Sequence, residues 1–404
     1  MTTLDATRER TQTVEIERIL PGGVGLARVE GRSVLVAGTA AGDIVEISLA
    51  GKRAALLRVV SPSADRVTPV CQDVDTCGGC DLMHLAYPAQ LDAKRGILED
   101  CLRRIGKLDE WPEIAVIGSP AELGYRWRAA FHVADDGTLG YVGRRSNDVV
   151  SIRRCHVLHP TLEAWRAGFD ASALPRGERL SAMTGGERIS VSTGSPAEVL
   201  GVAVGQERYL ASADGFFQAN GALVERLVGE VVRMAAVRPG DGVLDLYAGS
   251  GLFSLPLARR AETVNAVESD RRSIELFRRT LVESKTPNVE IRQGRVERVL
   301  AAGVGGISPD VVVLDPPRAG AGAEVVGRIT ALGPRRVVMV SCDPATFSRD
   351  VRSFADRGYE LRELAMLDMF PQTHHLEVVA LLEPVEGMPT RRWLQGAPGA
   401  EPPG

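Results

Sequence analysis

The sequence predicts an α/β protein: a doubly wound, mostly parallel sheet preceded by a small β-barrel, with a cysteine-bearing segment between them. Apolar strand-like runs alternate with helical stretches from about residue 205 onward, which is typical of a doubly wound sheet. About five short strands separated by glycine turns fill residues 11–61 and predict the barrel. The segment from about 62 to 205 is mixed, and it opens with grouped cysteines.

The composition of the 404-residue chain is that of an ordinary globular protein, with 44% hydrophobic and 25% charged residues. A formal net charge of −4 gives no overall signature of nucleic-acid binding, although a local basic face would suffice for it. Residues 1–13 are polar and no stretch of about 20 apolar residues occurs, so we expect a cytoplasmic protein without a membrane span. We also expect a monomer.

The division of the chain follows these changes of pattern. We expect a disordered N-terminus (1–10), a β-barrel of the oligonucleotide-binding type (11–62), a central domain (63–205), an α/β domain (206–385) and a disordered tail (386–404). Within the central domain, apolar residues at helical spacing predict a helix from about Ala89 to Ile105, and Cys101 belongs to its apolar face.

Four of the six cysteines predict a metal centre. Three of them stand in one loop with the spacing Cys71-x5-Cys77-Gly-Gly-Cys80, and Cys155 follows about 75 residues later. Glycines let a short chain fold around a ligand, and grouped cysteines in a reducing compartment favour metal binding over disulfides. Four thiolates suit zinc and an iron–sulfur cluster equally well by ligand count alone.

A glycine-rich turn predicts a cofactor site in the α/β domain. Asp245-Leu-Tyr-Ala-Gly-Ser-Gly251 ends one predicted strand, and Glu268 ends the next. Glycines there let the backbone approach a ligand closely, and a carboxylate at the second strand end accepts hydrogen bonds from ribose hydroxyls. The dehydrogenase pattern Gly-x-Gly-x-x-Gly is absent, and the motif with its downstream glutamate resembles class I S-adenosylmethionine methyltransferases.

Two later strand ends carry reactive side chains. Asp315-Pro-Pro-Arg318 follows one strand and Cys342 follows the next, so both lie at the carboxyl edge of the sheet, where ligands bind in open α/β folds. Cys342 leaves the apolar run and precedes a helix start, a location that exposes a sulfur and lowers a thiol pKa. A thiolate beside a methyl donor has a specific use: it attacks C6 of a pyrimidine and makes C5 a carbon nucleophile.

That reaction needs a base for the C5 proton, and Glu377 stands at the start of the last apolar strand. A carboxylate in such a position is either an ordinary strand-edge residue or a functional one. His374 and His375 precede it, and we expect them to orient the loop rather than bind a metal, because no further ligands stand nearby.

Together these motifs resemble the uracil-C5 RNA methyltransferase family. The matching segments, all in family order, are Phe216-Phe-Gln-Ala-Asn220, Asp245 to Gly251, Asp315-Pro-Pro-Arg318, Ser341-Cys342 and Phe370-Pro-x-Thr-x-His-x-Glu377. The resemblance implies a Rossmann-like class I methyltransferase fold, S-adenosyl-L-methionine as methyl donor, Cys342 as nucleophile and Glu377 as general base. The residues that it implies for the cofactor site are Gln218, Tyr247, Gly249, Gly251, Glu268 and Asp315.

The same resemblance extends to the cysteines and the barrel. The Cys-Gly-Gly-Cys form with a distant fourth cysteine resembles the family's [4Fe–4S] site, which implies Cys71, Cys77, Cys80 and Cys155 as ligands. The barrel resembles the RNA-binding TRAM domain of one branch. Two residues depart from the family pattern: Asp343 stands where Asn is common, and Arg295 stands where a small polar or acidic residue often contacts the adenine.

RNA contacts are expected in an arginine-rich stretch of the central domain, where aromatic residues are interleaved for stacking. The arginines singled out are Arg126, Arg128, Arg144 and Arg145. The barrel and the cysteines favour the ribosomal branch, so we expect 5-methyluridine formation in 23S rRNA, with tRNA as the alternative substrate. Two other functions stay open: a non-catalytic iron–sulfur RNA-binding protein, and amino methylation of a base, which has no need of Cys342.

Overall fold

The structure is a computed structural model that describes residues 10–387 except for 51–52, 145, 195 and 307. The segments expected to be disordered, 1–10 and 386–404, lie almost wholly outside the described residues. Within the described part of the chain, no helix combines the length and the apolar character that crossing a membrane requires.

Among the described residues, six strands form the N-terminal β domain, one more than the pattern predicts. They are β1 (Arg10–Glu15), β2 (Arg18–Leu20), β3 (Val24–Val29), β4 (Arg32–Ala37), β5 (Ile44–Ala50) and β6 (Arg53–Ser61). Antiparallel pairing joins them into two three-stranded sheets, β1-β5-β6 and β2-β3-β4. Val36, Val45 and Ile47 are fully buried, because one face of each strand covers the shared core.

The central segment begins with the cysteine loop (residues 71–82). Its helix α1 (Tyr87–Arg104) lies close to the predicted Ala89–Ile105 and has a proline in its first turn, where the missing N–H costs no hydrogen bond. Its other elements are β7 (Ile114–Ile117), β8 (Arg128–Val133), β9 (Leu139–Val142), β10 (Val149–Ser151), α2 (Pro160–Gly168), β11 (Arg179–Thr184), β12 (Ile189–Ser192), β13 (Leu200–Val204) and β14 (Glu207–Ala211). Strands β8 to β12 form an antiparallel sheet in the order β10-β9-β8-β11-β12, and β13 pairs with β14.

Strand–helix alternation then builds the large sheet. Its elements are α3 (Val224–Ala235), β15 (Gly242–Leu246), α4 (Ser254–Ala258), β16 (Thr263–Glu268), α5 (Arg271–Glu283), β17 (Val289–Gln293), α6 (Val296–Ala301), β18 (Val311–Leu314), α7 (Gly322–Ala331), β19 (Arg336–Ser341), α8 (Pro344–Ala355), β20 (Tyr359–Leu367) and β21 (Glu377–Pro384). The strand order is β17-β16-β15-β18-β19-β21-β20-β7, with β15 to β19 parallel and β21 antiparallel to both neighbours. Every residue of β18 is buried, as expected where helices cover both faces of a sheet.

The central segment contributes to this sheet and its core. Strand β7 pairs in parallel with β20 at the sheet edge, although it precedes the expected boundary near residue 205. Helix α1 buries Ile97, Leu98 and Leu102 in the same core cluster as Phe347 and Phe354 of α8. The cysteine-bearing segment and the α/β domain are therefore packed together.

The topology brings the predicted site residues to one edge of the large sheet. Parallel strands end together at that edge. The predicted residues at those strand ends are Tyr247, Glu268, Asp315 and Cys342. Strand β21 runs the opposite way, so its first residue, Glu377, lies at the same edge. Because Ser341 of β19 pairs with Val378 of β21, Cys342 and Glu377 lie next to each other at the ends of neighbouring strands.

Candidate active site

Cys342 lies between the end of β19 and the start of α8, as the sequence pattern predicts. Asp343 caps the helix, because its Oδ1 accepts hydrogen bonds from the backbone N–H groups of Ala345 (3.0 Å) and Thr346 (2.8 Å). The aspartate that departs from the family pattern thus has a structural use. The capped turn leaves Cys342 half-buried at the carboxyl edge of the sheet.

Cys342 shares this low-dielectric site with two carboxyl groups and one guanidinium. Burial raises the pKa of the Cys342 thiol to about 11; the charges of Glu377 and Asp315 add to the increase. Arg318 acts in the opposite direction. Burial also raises the pKa of Asp315 to about 7 and raises that of Glu377 well above its ordinary range. The thiol therefore keeps its proton at neutral pH in the RNA-free site, and the lowered pKa that its place at a helix start predicts is overridden by burial.

This pKa makes the reactivity of Cys342 steeply pH-dependent. Because the thiolate is the nucleophile and the pKa of the folded thiol is about 11, the thiolate fraction rises about tenfold per pH unit from about pH 7 to about pH 10. We expect alkylation of Cys342 by iodoacetamide in RNA-free enzyme, followed by peptide mass spectrometry, to accelerate in the same proportion. A rate that levels off below about pH 9 would contradict the raised pKa.

Arg318 is a site residue to which the sequence pattern assigns no role, although it closes the Asp315-Pro-Pro-Arg318 motif. Its Nη2 lies 3.5 Å from Nε2 of His375. Burial lowers the pKa of His375 to about 4, and the nearby positive charges act in the same direction, so the imidazole is neutral and able to accept from the guanidinium. A buried thiol that acts as a nucleophile needs a cation nearby to favour its thiolate, and the arginine at the end of the Asp315-Pro-Pro-Arg318 motif is the residue in the sequence that could have been assigned this role.

A cavity at the same edge contains four of the six residues predicted for the cofactor. The predicted residues that line it are Gln218, Tyr247, Gly249 and Asp315. Phe216 and Phe217 also line the cavity; Phe217 is buried and Phe216 is 59% exposed. The charge of Asp315 also raises the pKa values of Glu377 and Cys342, so Asp315 connects the cofactor cavity to these two residues.

The other two predicted residues, Gly251 and Glu268, shape the glycine-rich loop beside this cavity. A Cβ at Gly251 would lie 2.1 Å from the Phe277 ring, and φ there is +86°, so only glycine fits. Oε2 of Glu268 accepts a hydrogen bond from the N–H of Gly249 at 2.8 Å. Its Oε1 accepts hydrogen bonds from the N–H groups of Ser269 and Asp270 at 2.6 and 2.7 Å. The Glu268 carboxylate therefore holds the loop, and its contact with ribose hydroxyls stays a prediction.

Asp245 begins the glycine-rich motif, receives no binding role from the sequence pattern, and is fully buried. Ser254 Oγ donates to its Oδ2 at 2.5 Å, while Oδ1 has no hydrogen-bond partner among the described residues. Burial raises the pKa of Asp245 to about 7. An unpartnered buried oxygen beside the positive-φ residues Tyr247 and Gly249 fits a loop that receives a polar, cationic ligand such as S-adenosylmethionine.

The four cysteines predicted to ligate a metal line one cavity. They are Cys71, Cys77, Cys80 and Cys155. Burial raises the pKa of every one of these thiols, and the charge of Cys155 raises that of Cys77 and Cys80 further. Bound metal relieves such repulsion and binds thiolates, so the donor set fits a metal centre. However, no three His, Cys, Asp or Glu side chains in the described ranges are arranged to hold a single metal ion, so the cluster stays a prediction.

The arginines predicted to bind RNA make hydrogen bonds within the protein. Nε of Arg126 donates to a backbone carbonyl at 3.0 Å, and Nη2 of Arg128 donates to another at 3.1 Å. Arg144 donates to two carbonyls of the cysteine loop, one of them that of Cys80. Arg145 lies outside the described residues. Arg126 lines the cysteine cavity and Arg144 binds the cysteine loop, so both support the fold there, whereas Arg128 donates to the carbonyl of Ala213. Contact of these arginines with RNA stays a prediction.

A family model described as tRNA (Uracil-5-)-methyltransferase matches residues 178–385, more than half of the chain. The chain belongs to the tRNA (uracil-5-)-methyltransferase family. The 23S rRNA (uracil(1939)-C(5))-methyltransferase RlmD of Vibrio parahaemolyticus is 30% identical, with 93% of this chain and 96% of that protein covered. The RlmD of Pseudomonas putida is 32% identical, with 93% and 94% covered.

A solved methyltransferase structure has the same architecture. The Pyrococcus abyssi tRNA (uracil-54, C5)-methyltransferase in complex with S-adenosyl-L-homocysteine is 26% identical, with a TM-score of 0.70, and the match covers 91% of this chain and 100% of that one. Membership confirms the predicted family, the α/β methyltransferase fold with its N-terminal β domain, and S-adenosylmethionine-dependent methylation of uridine C5 in RNA. The Cys342 adduct, the target RNA and the cluster stay predictions.

Proposed function

We propose that this member of the family forms 5-methyluridine in 23S rRNA through a covalent bond between Cys342 and the target uracil. The main support for the proposal is that Cys342, Glu377 and Asp315 lie close together at one edge of the sheet, and that the cofactor cavity lies at the same edge. A thiol, a carboxyl base and a methyl-donor cavity are the parts that C5 methylation needs, whereas amino methylation needs no thiol.

Each step of the proposed reaction uses a residue of this site. The Cys342 thiol first loses its proton to water, and Arg318 favours the thiolate that results. The thiolate adds to C6 of uracil, and the C5–C6 electron pair moves towards the C4 carbonyl oxygen as an enolate. The enolate electron pair would then form a bond from C5 to the electrophilic methyl group of bound S-adenosylmethionine, with the methyl–sulfur bond broken and S-adenosyl-L-homocysteine as the leaving group. Ionised Glu377 then accepts the proton of C5, and the returning electron pair expels the thiolate and restores the C5–C6 double bond. The raised pKa of Glu377 makes it a stronger base than an exposed glutamate.

The ribosomal target is supported by the names of the relatives and not by the domain plan. Relatives of 30% and 32% identity that span nearly the whole chain are named 23S rRNA enzymes. The P. abyssi enzyme, named for tRNA, matches 91% of this chain. The presence of the β domain and the central segment therefore does not distinguish a 23S rRNA substrate from a tRNA substrate. The expectation that these two regions indicate the ribosomal branch stays a prediction.

Mapping of 5-methyluridine in 23S rRNA and tRNA, from cells with and without the gene, tests the target. We expect one 23S rRNA position to lose the modification when the gene is deleted. Loss from tRNA alone would replace the proposed target with the alternative one. Unchanged modification in both RNAs, with no adduct on Cys342, would favour the non-catalytic RNA-binding protein.

We also propose that Cys71, Cys77, Cys80 and Cys155 hold a [4Fe–4S] cluster, whose role here is to fold the cysteine loop. Anaerobically purified protein should be brown with about four irons per chain, and Cys155→Ser should lose most of them. The matched variant Cys101→Ser, at a buried cysteine of α1 outside the cavity, should keep its iron. A colourless protein that contains zinc would contradict the assignment.

A further inference from the structure

Asp81, the residue that follows the third cysteine of the cysteine loop, makes hydrogen bonds with the segment that leads to Glu377. We infer that Asp81 is a positioning residue for Glu377, which couples the cysteine loop to the segment 370–376, here called the base loop. The inference rests on the proposed role of Glu377. It assigns Asp81, and with it the cysteine loop, a part in the geometry of proton removal.

Asp81 binds the base loop through both oxygens of its side chain. Oδ1 accepts the backbone N–H of His374 at 2.7 Å, and Oδ2 lies 2.5 Å from Nδ1 of the same residue. His374 stands three residues before Glu377, and the next residue, His375, contacts Arg318. One carboxylate therefore orients the chain that leads to the base and to the cation beside the nucleophile.

Backbone hydrogen bonds also join the cysteine loop to the base loop. The N–H groups of Asp81 and Leu82 both donate to the carbonyl of Gln372, at 3.0 Å each. Gln372 has φ of +71°, a conformation that a side-chain-bearing residue adopts only when its surroundings hold it. Four hydrogen-bonding contacts thus join two consecutive residues of the cysteine loop to Gln372 and His374.

Helix α1 holds the other end of the base loop. Its Gln90 accepts the N–H of Gln372 at 2.9 Å, and Nζ of Lys94 donates to the carbonyl of Phe370 at 3.1 Å. Lys94 also forms a fully buried ion pair with Asp368 at 2.5 Å. These contacts anchor the loop at 370–372, which leaves Asp81 as the side-chain contact that sets His374.

The N-terminal β domain closes over the same point. A Cβ at Gly23 would lie 2.8 Å from Cγ of Asp81, so the turn between β2 and β3 approaches the carboxylate closely. The β domain, the cysteine loop and the base loop therefore meet at Asp81. A shift of the cysteine loop is passed to the base, and a misplacement of about 1 Å of a catalytic group costs about 100-fold in rate.

The test separates the base step from adduct formation. In Asp81→Asn we expect kcat to fall about 10–100-fold, with the methylated RNA–enzyme adduct accumulating as in Glu377→Gln. Trapping by 5-fluorouridine RNA, which needs Cys342 and methyl transfer but not proton removal, should keep its rate within about twofold. Iron content should also stay unchanged. His374→Ala should have the same effect as Asp81→Asn, and the double variant should lose no more than either single variant.

Asp100→Asn is the matched control. Asp100 is a comparably buried aspartate of α1 that pairs with Arg18 of the β domain at 2.9 Å, without touching the base loop, so its kcat should match wild type. Wild-type kcat in Asp81→Asn, or an equal loss of trapping and turnover, would overturn the inference. A Glu377→Gln variant that accumulates no adduct would instead overturn the proposed role of Glu377.

Discussion

Replacing Cys342 by alanine should lower methylation by about 10⁴-fold or more and leave RNA binding within about twofold of wild type. The thiol is the nucleophile of the proposed reaction at this site, and without the bond to C6 the C5 carbon of uracil has no enolate character with which to take a methyl group. Methyl transfer from labelled S-adenosylmethionine and RNA binding by filter retention measure the two effects separately. The half-buried position of Cys342 at the end of β19 makes a folding defect a poor explanation for such a loss.

A covalent trap distinguishes the mechanism from its alternatives. RNA with 5-fluorouridine at the target should form a stable adduct with wild-type enzyme, because fluorine replaces the hydrogen that the base removes. The peptide that contains Cys342 should carry the nucleotide. As a control, Cys101→Ala makes the same substitution at a buried cysteine of α1, and this variant should still form the adduct. Turnover by Cys342→Ala, or an adduct on another residue, would contradict the mechanism.

Glu377→Gln should slow turnover by about 10²–10⁴-fold at the step after methyl transfer, since an amide cannot accept the C5 proton. The methylated RNA should therefore remain bound to Cys342 and appear as a denaturation-resistant complex on a gel. In wild-type enzyme the ionised form is the active one, and its pKa is raised by burial and by Asp315. Single-turnover product release should accordingly rise with pH through that raised pKa and level off above it.

Glu383→Gln provides the comparison within the same strand. Glu383 lies near the far end of β21, where it pairs with Arg336 at 2.9 Å, and its loss should leave turnover close to wild type. Free product from Glu377→Gln at the wild-type rate would remove Glu377 from the role of base. His375, which stands two residues before Glu377, has a pKa lowered to about 4 by burial and by neighbouring positive charge, which makes it a weak base.

The arrangement of reactive residues at strand ends follows from local sequence pattern. Runs such as Val311–Leu314 are apolar throughout, and the residues after them are polar, glycine or proline. A parallel strand that ends there must deliver its next side chain to the carboxyl edge. Asp315 and Cys342 are predictable for this reason. Helix α1 is predictable for a similar reason, because its apolar spacing persists over several turns.

The charge states and partners of these residues do not follow from the same pattern. A cysteine before a helix predicts a lowered thiol pKa, yet the protein around Cys342 raises it to about 11. Arg126 and Arg144 stand in a stretch whose composition indicates an RNA surface. In the structure Arg126 lines the cysteine cavity and donates to the carbonyl of Arg128, while Arg144 donates to two carbonyls of the cysteine loop. Desolvation and hydrogen-bond choice depend on which distant segments fold over a residue, and spacing along the chain carries no information about that.

The family, the α/β class and the residues able to act as nucleophile, base and cofactor loop follow from the sequence alone, because strand ends and glycine turns are local features. The fold, in contrast, places Glu377 beside Cys342, because their strands are antiparallel neighbours from different parts of the chain. It also decided that Asp81 holds the base loop, across a separation of 293 residues that no local periodicity can register.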